Sequence, residues 1–282
     1  MFEKVLVSMD LSPATEALVS SLPGLREFGT REIALVHVAK PLSGRAAESL
    51  TATGYLRTRL NGLADGLRNV GFSVTVSVPT GEPVAEVLKA VDAMDPDVVL
   101  VGSRSHTLVR DAFIGSVAWD IVRSVGRPVL LQRIEPNRDD PEAALEGRGA
   151  GLPKHVLYPT DFSDTGKRAL PWLLAIARDA STSLTLLHVL PPASPEGKSE
   201  AESRLEELAQ ELREQGATEV DCLVRTGTPH EAILKSGGKS VDGLVVMGTH
   251  GRGFIPGVVL GSVGRQVVRQ ASARVLLVPG AA

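Results

Sequence analysis

The feature that most constrains this chain is that it contains itself twice. Val5-Leu6-Val7-Ser8-Met9-Asp10-Leu11-Ser12 is matched by Val156-Leu157-Tyr158-Pro159-Thr160-Asp161-Phe162-Ser163, and each stretch leads through a helical pattern to an apolar strand ending in His37-Val38 or His188-Val189. Thr80-Gly81-Glu82-Pro83 returns as Thr226-Gly227-Thr228-Pro229, Gly102 as Gly248, and Gly115-Ser116 as Gly261-Ser262, all at one offset. Self-similarity of this kind marks a duplicated structural unit, so the 282 residues divide into two domains of ordinary size. Residues 134–153 hold Pro, Gly, Asn and acidic residues without hydrophobic periodicity, which is how a linker reads. The expected organisation is a first domain at 1–135, a linker at 136–152 and a second domain at 153–282.

Within each unit, strand-length apolar runs alternate with amphipathic helical segments. In the second, strands are expected near 155–158, 184–189, 219–225, 244–247 and 275–278, as continuous apolar runs typical of strands buried on both faces of a parallel sheet. Leu205, Leu208, Ala209 and Leu212 share one helical face opposite Glu206, Glu207, Glu211 and Arg213. The fold class is therefore α/β, two tandem doubly wound units, each a five-stranded parallel sheet flanked by helices.

In such sheets, ligands bind outside the carboxyl ends of the strands, where strand order reverses. Asp10 and Asp161 end the first strand of each unit, and Gly102 and Gly248 the fourth. Gly248 opens a loop that contains His250, Gly251, Arg252 and Gly253 and runs to Gly261-Ser262 and a helix. Glycine lets backbone approach a ligand closely, Ser262 is expected to cap the helix, and amides at a helix start attract anions. Two readings result: a phosphate cradle, aided by Arg252 with His250 and Arg265, or a loop rich in glycine for turn geometry alone. Placement after a buried strand and repetition in both units favour the cradle. Asp10 and Asp161 also suit helix caps. His37 and His188 read as packed, hydrogen-bonded residues, Trp119 and Trp172 as core or interface anchors, and Cys222 as a buried strand residue.

Other chemistries are excluded by motif. There is no Gly-x-x-x-x-Gly-Lys-Ser/Thr, no Gly-x-Gly-x-x-Gly after a first strand, no Gly-x-Ser-x-Gly, and no second histidine to complete a zinc site from His230-Glu231. A net charge of −3 gives no footprint for nucleic acid, and no apolar stretch is long enough for membrane insertion. A single cysteine, and a strand where a secretory signal's apolar region would lie, point to the cytoplasm.

Gly248, Gly251, Gly261 and Ser262 form Gly-x-x-Gly, nine residues, Gly-Ser, and Gly102, Ser105, Gly115 and Ser116 repeat it with one departure. With the strand-end Asp, this resembles the universal stress protein family in its tandem form, with its HUP-like α/β fold. The resemblance implies an ATP-binding stress-response regulator, taking ATP, AMP or ADP with or without magnesium. In the second unit it implies contacts from Pro159, Thr160, Asp161, Val189, Met247, Gly248, His250, Gly251, Arg252, Gly253, Gly261, Ser262 and Val263. In the first, it implies contacts from Asp10, Val38, Gly102, Arg104, Ser105, Gly115 and Ser116. Ser105 puts a side chain where the pattern has glycine, so the second site is expected to fill more readily. The resemblance also implies pairing of units through their last strands, as an intramolecular pseudo-dimer or a homodimer. The alternatives are a nucleotide-independent interaction scaffold and a slow ATPase; no positioned base is evident, so hydrolysis is expected to be weak or absent.

Overall fold

Among the described residues, ten strands carry the apolar runs. The computed structural model describes residues 1–12, 14–41, 46–104, 114–134, 151–179, 181–192, 197–238, 240, 242–250 and 260–280. These fall into two compact units dividing between Gly151 and Leu152. The first contains β1 (Lys4–Ser8), β2 (Glu32–Val36), β3 (Ser73–Ser77), β4 (Val98–Arg104) and β5 (Val129–Ile134), with helices α1 (Ala14–Ser21), α2 (Ala46–Asn69), α3 (Pro83–Met94) and α4 (Ser116–Ser124). The second contains β6 (His155–Pro159), β7 (Ser183–Leu190), β8 (Glu219–Thr226), β9 (Gly243–Gly248) and β10 (Arg274–Val278). Its helices are α5 (Asp164–Lys167), α6 (Leu170–Ala177), α7 (Lys198–Glu214), α8 (Pro229–Ile233) and α9 (Ser262–Gln270).

Strand order is β3-β2-β1-β4-β5 in the first unit and β8-β7-β6-β9-β10 in the second, and the pairings within each unit are parallel. Order reverses between β1 and β4, and between β6 and β9. The crevice of each unit therefore opens where Asp10 and Asp161 leave the sheet. Val98, Val99 and Leu100 of β4 and Val245 and Val246 of β9 have no measurable exposure, so apolar burial fixes the centre of both sheets.

Several sequence expectations change. β8 is the outer strand of its unit, and only one of its residues is fully buried, Val220, on the face toward α7; it is not apolar and covered on both sides. Helix α7 buries Ala201, Leu205, Ala209 and Leu212, so its contact stripe turns toward Ala201 and leaves Leu208 half-exposed. Trp119 and Trp172 are half-buried. Gly248 ends β9 as expected, but Gly102 does not end β4, which continues through Ser103 and Arg104 in register with Arg133 and Ile134. The strands expected to end in His188-Val189 and His37-Val38 end elsewhere: β7 runs on to Leu190, in register with β8 for eight residues, and β2 stops at Val36. Most of the linker, the Ser105 position and the Gly251, Arg252 and Gly253 positions lie outside the described residues. Among the described residues no helix is long and apolar enough to cross a membrane.

Candidate functional site

At the carboxyl ends of β6, β7 and β9, a cavity of about 350 Å³ opens in the second unit. Pro159, Thr160 and Asp161 line it from β6, Val189 from β7, Met247, Gly248 and His250 from β9 and its extension, and Gly261, Ser262 and Val263 from the start of α9. The described residues expected from the family resemblance are thus brought together, whereas Arg265, expected to aid the cradle, is exposed on α9 and does not line the cavity. Sequence reading missed Gly166, Leu187, Pro229, Ile233, Thr249 and Gly264 as lining residues, and gave His188 a packing role only. Pro229 carried a signal in the repeated Thr-Gly-x-Pro; the others are juxtaposed only by tertiary packing.

Asp161 shapes the wall at β6. Its Oδ1 accepts from the Ser163 amide at 3.0 Å, and Ser163 Oγ accepts from the Gly166 amide at 3.1 Å. The aspartate therefore closes a turn, and the serine two residues on caps α5. Between them Phe162 takes a left-handed φ of 61°, a conformation costing roughly 1–2 kcal/mol for a residue with a side chain. Contacts on its ring hold it there: the Arg204 guanidinium lies 4.1 Å from the ring centroid, and the His188 ring 4.6 Å away. His188 Nδ1–H donates to the Thr160 carbonyl at 2.7 Å, tying β7 to the β6 exit. The packed, hydrogen-bonded reading of His188 is the one observed. The first unit repeats this geometry, with Asp10 Oδ1 accepting from Ser12 at 3.0 Å, Leu11 at φ 52°, and His37 Nδ1–H donating to the Met9 carbonyl at 3.0 Å.

Opposite this turn, Gly248 sits where a Cβ would come within 3.2 Å of the Thr165 carbonyl oxygen and 3.3 Å of Gly166 Cα. These are backbone atoms, so no side chain can swing aside to make room. Beyond it Thr249 accepts from the Gly261 amide at 2.8 Å through its carbonyl, and its hydroxyl lies 3.0 Å from His250 Nδ1 and 3.3 Å from the Gly280 amide. The chain entering α9 is thereby held against the end of β9. Ser262 does not cap that helix. Gly261, which has no side chain to cap with, is the N-cap, and Ser262 is the exposed first helical residue. A helix start without a side-chain cap presents its amides and the positive end of its dipole to the cavity, which suits an anion.

In the first unit, a cavity of about 710 Å³ occupies the corresponding place. Asp10, Val38, Gly102, Gly115 and Ser116 line it, and Gly115 is again an N-cap without a side-chain bond. Arg104 lies on β4, two residues beyond Gly102.

Cys222 is half-buried on β8 rather than fully buried. Burial foremost, and then the Glu206 carboxylate, push its thiol up to about 11, against the pull of Arg213. Compared with a thiol at 9.0, this leaves roughly a hundredfold less thiolate at pH 8. Alkylation by iodoacetamide at pH 8 is expected to run about a hundredfold slower in the folded protein than in urea, because thiolate is the reacting form. Equal rates would show that this environment does not act on the thiol.

The universal stress protein family model matches residues 1–133 and 153–279. The chain belongs to the universal stress protein family. A universal stress protein of Mycolicibacterium smegmatis is 26% identical over 301 aligned residues, covering 97% of this chain and 96% of its own length. A shorter universal stress protein of Thermus aquaticus is 36% identical over 135 residues, covering 44% of this chain and 98% of itself. The crystal structure of a universal stress protein from Archaeoglobus fulgidus DSM 4304 superposes with a TM-score of 0.76 at 22% identity over 99% of both chains, a likeness of fold. The repeat in the sequence is therefore a pair of universal stress protein domains.

Proposed function

We propose that this universal stress protein holds an adenine nucleotide, ATP, ADP or AMP, in the cavity of its second unit, and that occupancy regulates its partners during stress. The observation that carries the reading is the meeting, in one cavity, of a glycine whose Cβ would strike backbone with a helix start capped by glycine. A volume of about 350 Å³ falls in the range of small-molecule pockets. Gly248 and the first turn of α9 would hold phosphate oxygens, while Asp161 and Val189 would meet the nucleoside. The adenine preference comes from the family resemblance. Asp161, the one carboxylate among the described lining residues, is engaged in its turn, which favours holding a nucleotide over hydrolysing it.

Denaturing the purified protein and chromatographing the supernatant is expected to release an adenine nucleotide. Protein stripped of nucleotide is expected to bind ATP in calorimetry. Empty protein that gives no heat with ATP would overturn the reading.

A further inference from the structure

Each unit sets one residue in the left-handed region where the chain leaves its first strand, Leu11 at φ 52° and Phe162 at φ 61°, each directly after the aspartate that lines the cavity. A side chain disfavours this conformation, so the turn needs holding from outside. In the second unit the holding group comes from α7: the Arg204 guanidinium lies 4.1 Å from the centroid of the Phe162 ring, which also has the His188 ring at 4.6 Å. In the first unit it comes from α2: Arg59 Nη1–H donates to the Leu11 carbonyl at 3.3 Å, and Arg59 Nη2 pairs with Glu16 of α1 at 3.4 Å.

The two arginines occupy one position of the repeat. Among the described residues of α2, Leu60, Ala64 and Leu67 are the buried ones, and Leu205, Ala209 and Leu212 repeat that spacing on α7. Arg59 and Arg204 each stand directly before the first leucine of the set. The residue they hold differs between the units, and the contact has changed with it, from a hydrogen bond on a carbonyl to a cation on a ring face. What both units keep is an arginine of the outer helix on the residue that follows the aspartate. Neither arginine lines a cavity, so each bears on a ligand only through the turn it holds.

Resting on the nucleotide reading of the second unit, we propose that Arg204 is a positioning residue for the nucleoside end of that site: from outside the cavity, through the Phe162 ring, it keeps Asp161 where the nucleoside meets it. The phosphate end, at Gly248 and the start of α9, is built from other elements and does not depend on Arg204. Calorimetry on the intact chain separates the two ends. Arg204→Ala is expected to weaken adenosine and ATP by the same factor, about fivefold, the scale of one cation on an aromatic face, and to leave inorganic triphosphate unchanged. Where two binding phases appear, the one weakened in Gly248→Val belongs to the second unit. Phe162→Ala is expected to weaken adenosine at least as much, and Arg204→Ala to add nothing further in that background, because the arginine acts through the ring. Equal loss for triphosphate, undiminished adenosine affinity in Arg204→Ala, or a further fivefold loss in the Phe162→Ala background overturns the proposal.

In the nucleotide-free chain, the Ser163 amide, which donates to Asp161 Oδ1 at 3.0 Å, is expected to exchange with deuterium about fivefold faster in Arg204→Ala. The Gly261 amide, held by the Thr249 carbonyl at 2.8 Å, is expected to keep its rate. Unchanged Ser163 exchange overturns the proposal whatever the ligands do. Wild-type protein that binds neither ATP nor adenosine counts against the nucleotide reading instead, and the exchange rates then decide by themselves whether Arg204 holds the turn.

Discussion

Gly248→Val is expected to weaken ATP binding about a hundredfold while the chain still folds. A Cβ at this position comes within 3.2 Å of the Thr165 carbonyl oxygen and 3.3 Å of both Gly166 Cα and the His250 carbonyl oxygen. Overpacking costs about 1–3 kcal/mol and is relieved by displacing the Thr165–Gly166 backbone at the cavity wall; where binding must reverse that displacement, the upper end corresponds to about two decades in affinity. Valine adds two methyl groups that reach further into a cavity of about 350 Å³. Gly248→Ala, with a Cβ alone, is expected to fall between valine and the wild type. Calorimetric titration of the three proteins tests the series, and equal affinities would place the nucleotide elsewhere.

Tyr158→Ala is expected to destabilise the second unit by about 4 kcal/mol, within the range for deleting a fully buried aromatic side chain. Tyr158 has no measurable exposure and is among the largest fully buried side chains, and its hydroxyl donates to the Gly166 carbonyl at 3.0 Å. Alanine leaves both a void under the Asp161 turn and an unpaired carbonyl. Tyr158→Phe removes only the hydroxyl and is expected to cost about 1 kcal/mol. Urea unfolding followed by tryptophan fluorescence in a Trp119→Phe background, which leaves Trp172 as the reporter, separates the two. The same tyrosine sets an alkaline limit. Burial pushes its phenol up from 10.0 to about 12, with a further push from Asp161, against the pull of the Thr160 hydroxyl. Because the folded value is the higher one, its contribution is intact below pH 10 and is lost as pH rises through about 12. An alkaline unfolding midpoint that does not move in Tyr158→Phe would show that other groups govern it.

The architecture was legible because both of its signals are local. Apolar runs such as 244–247 declare their burial, and the repeat declares the duplication. Asp161, Gly248 and Gly261 were legible as cavity-lining residues because each sits near a strand or helix end, where a doubly wound sheet places its crevice. Ser262 was misread as the cap because sequence shows a serine at a helix start but not the first helical dihedral, which falls on Ser262 itself and leaves Gly261 outside. β8 was misread because edge position depends on strand order, which no single strand encodes.

The sequence by itself determined two universal stress protein domains, their parallel strands and the residues near most strand ends, Gly102 excepted. Only the tertiary structure decided which of those ends share a cavity, and that Gly166 and Thr249 join them. It also showed that the two cavities differ in lining, with Thr15 and Ile134 in the first unit at the positions that Gly166 and Gly280 hold in the second. Periodicity and spacing record what a residue does for its own strand or helix. What a side chain meets across a sheet edge depends on distances that only packing sets.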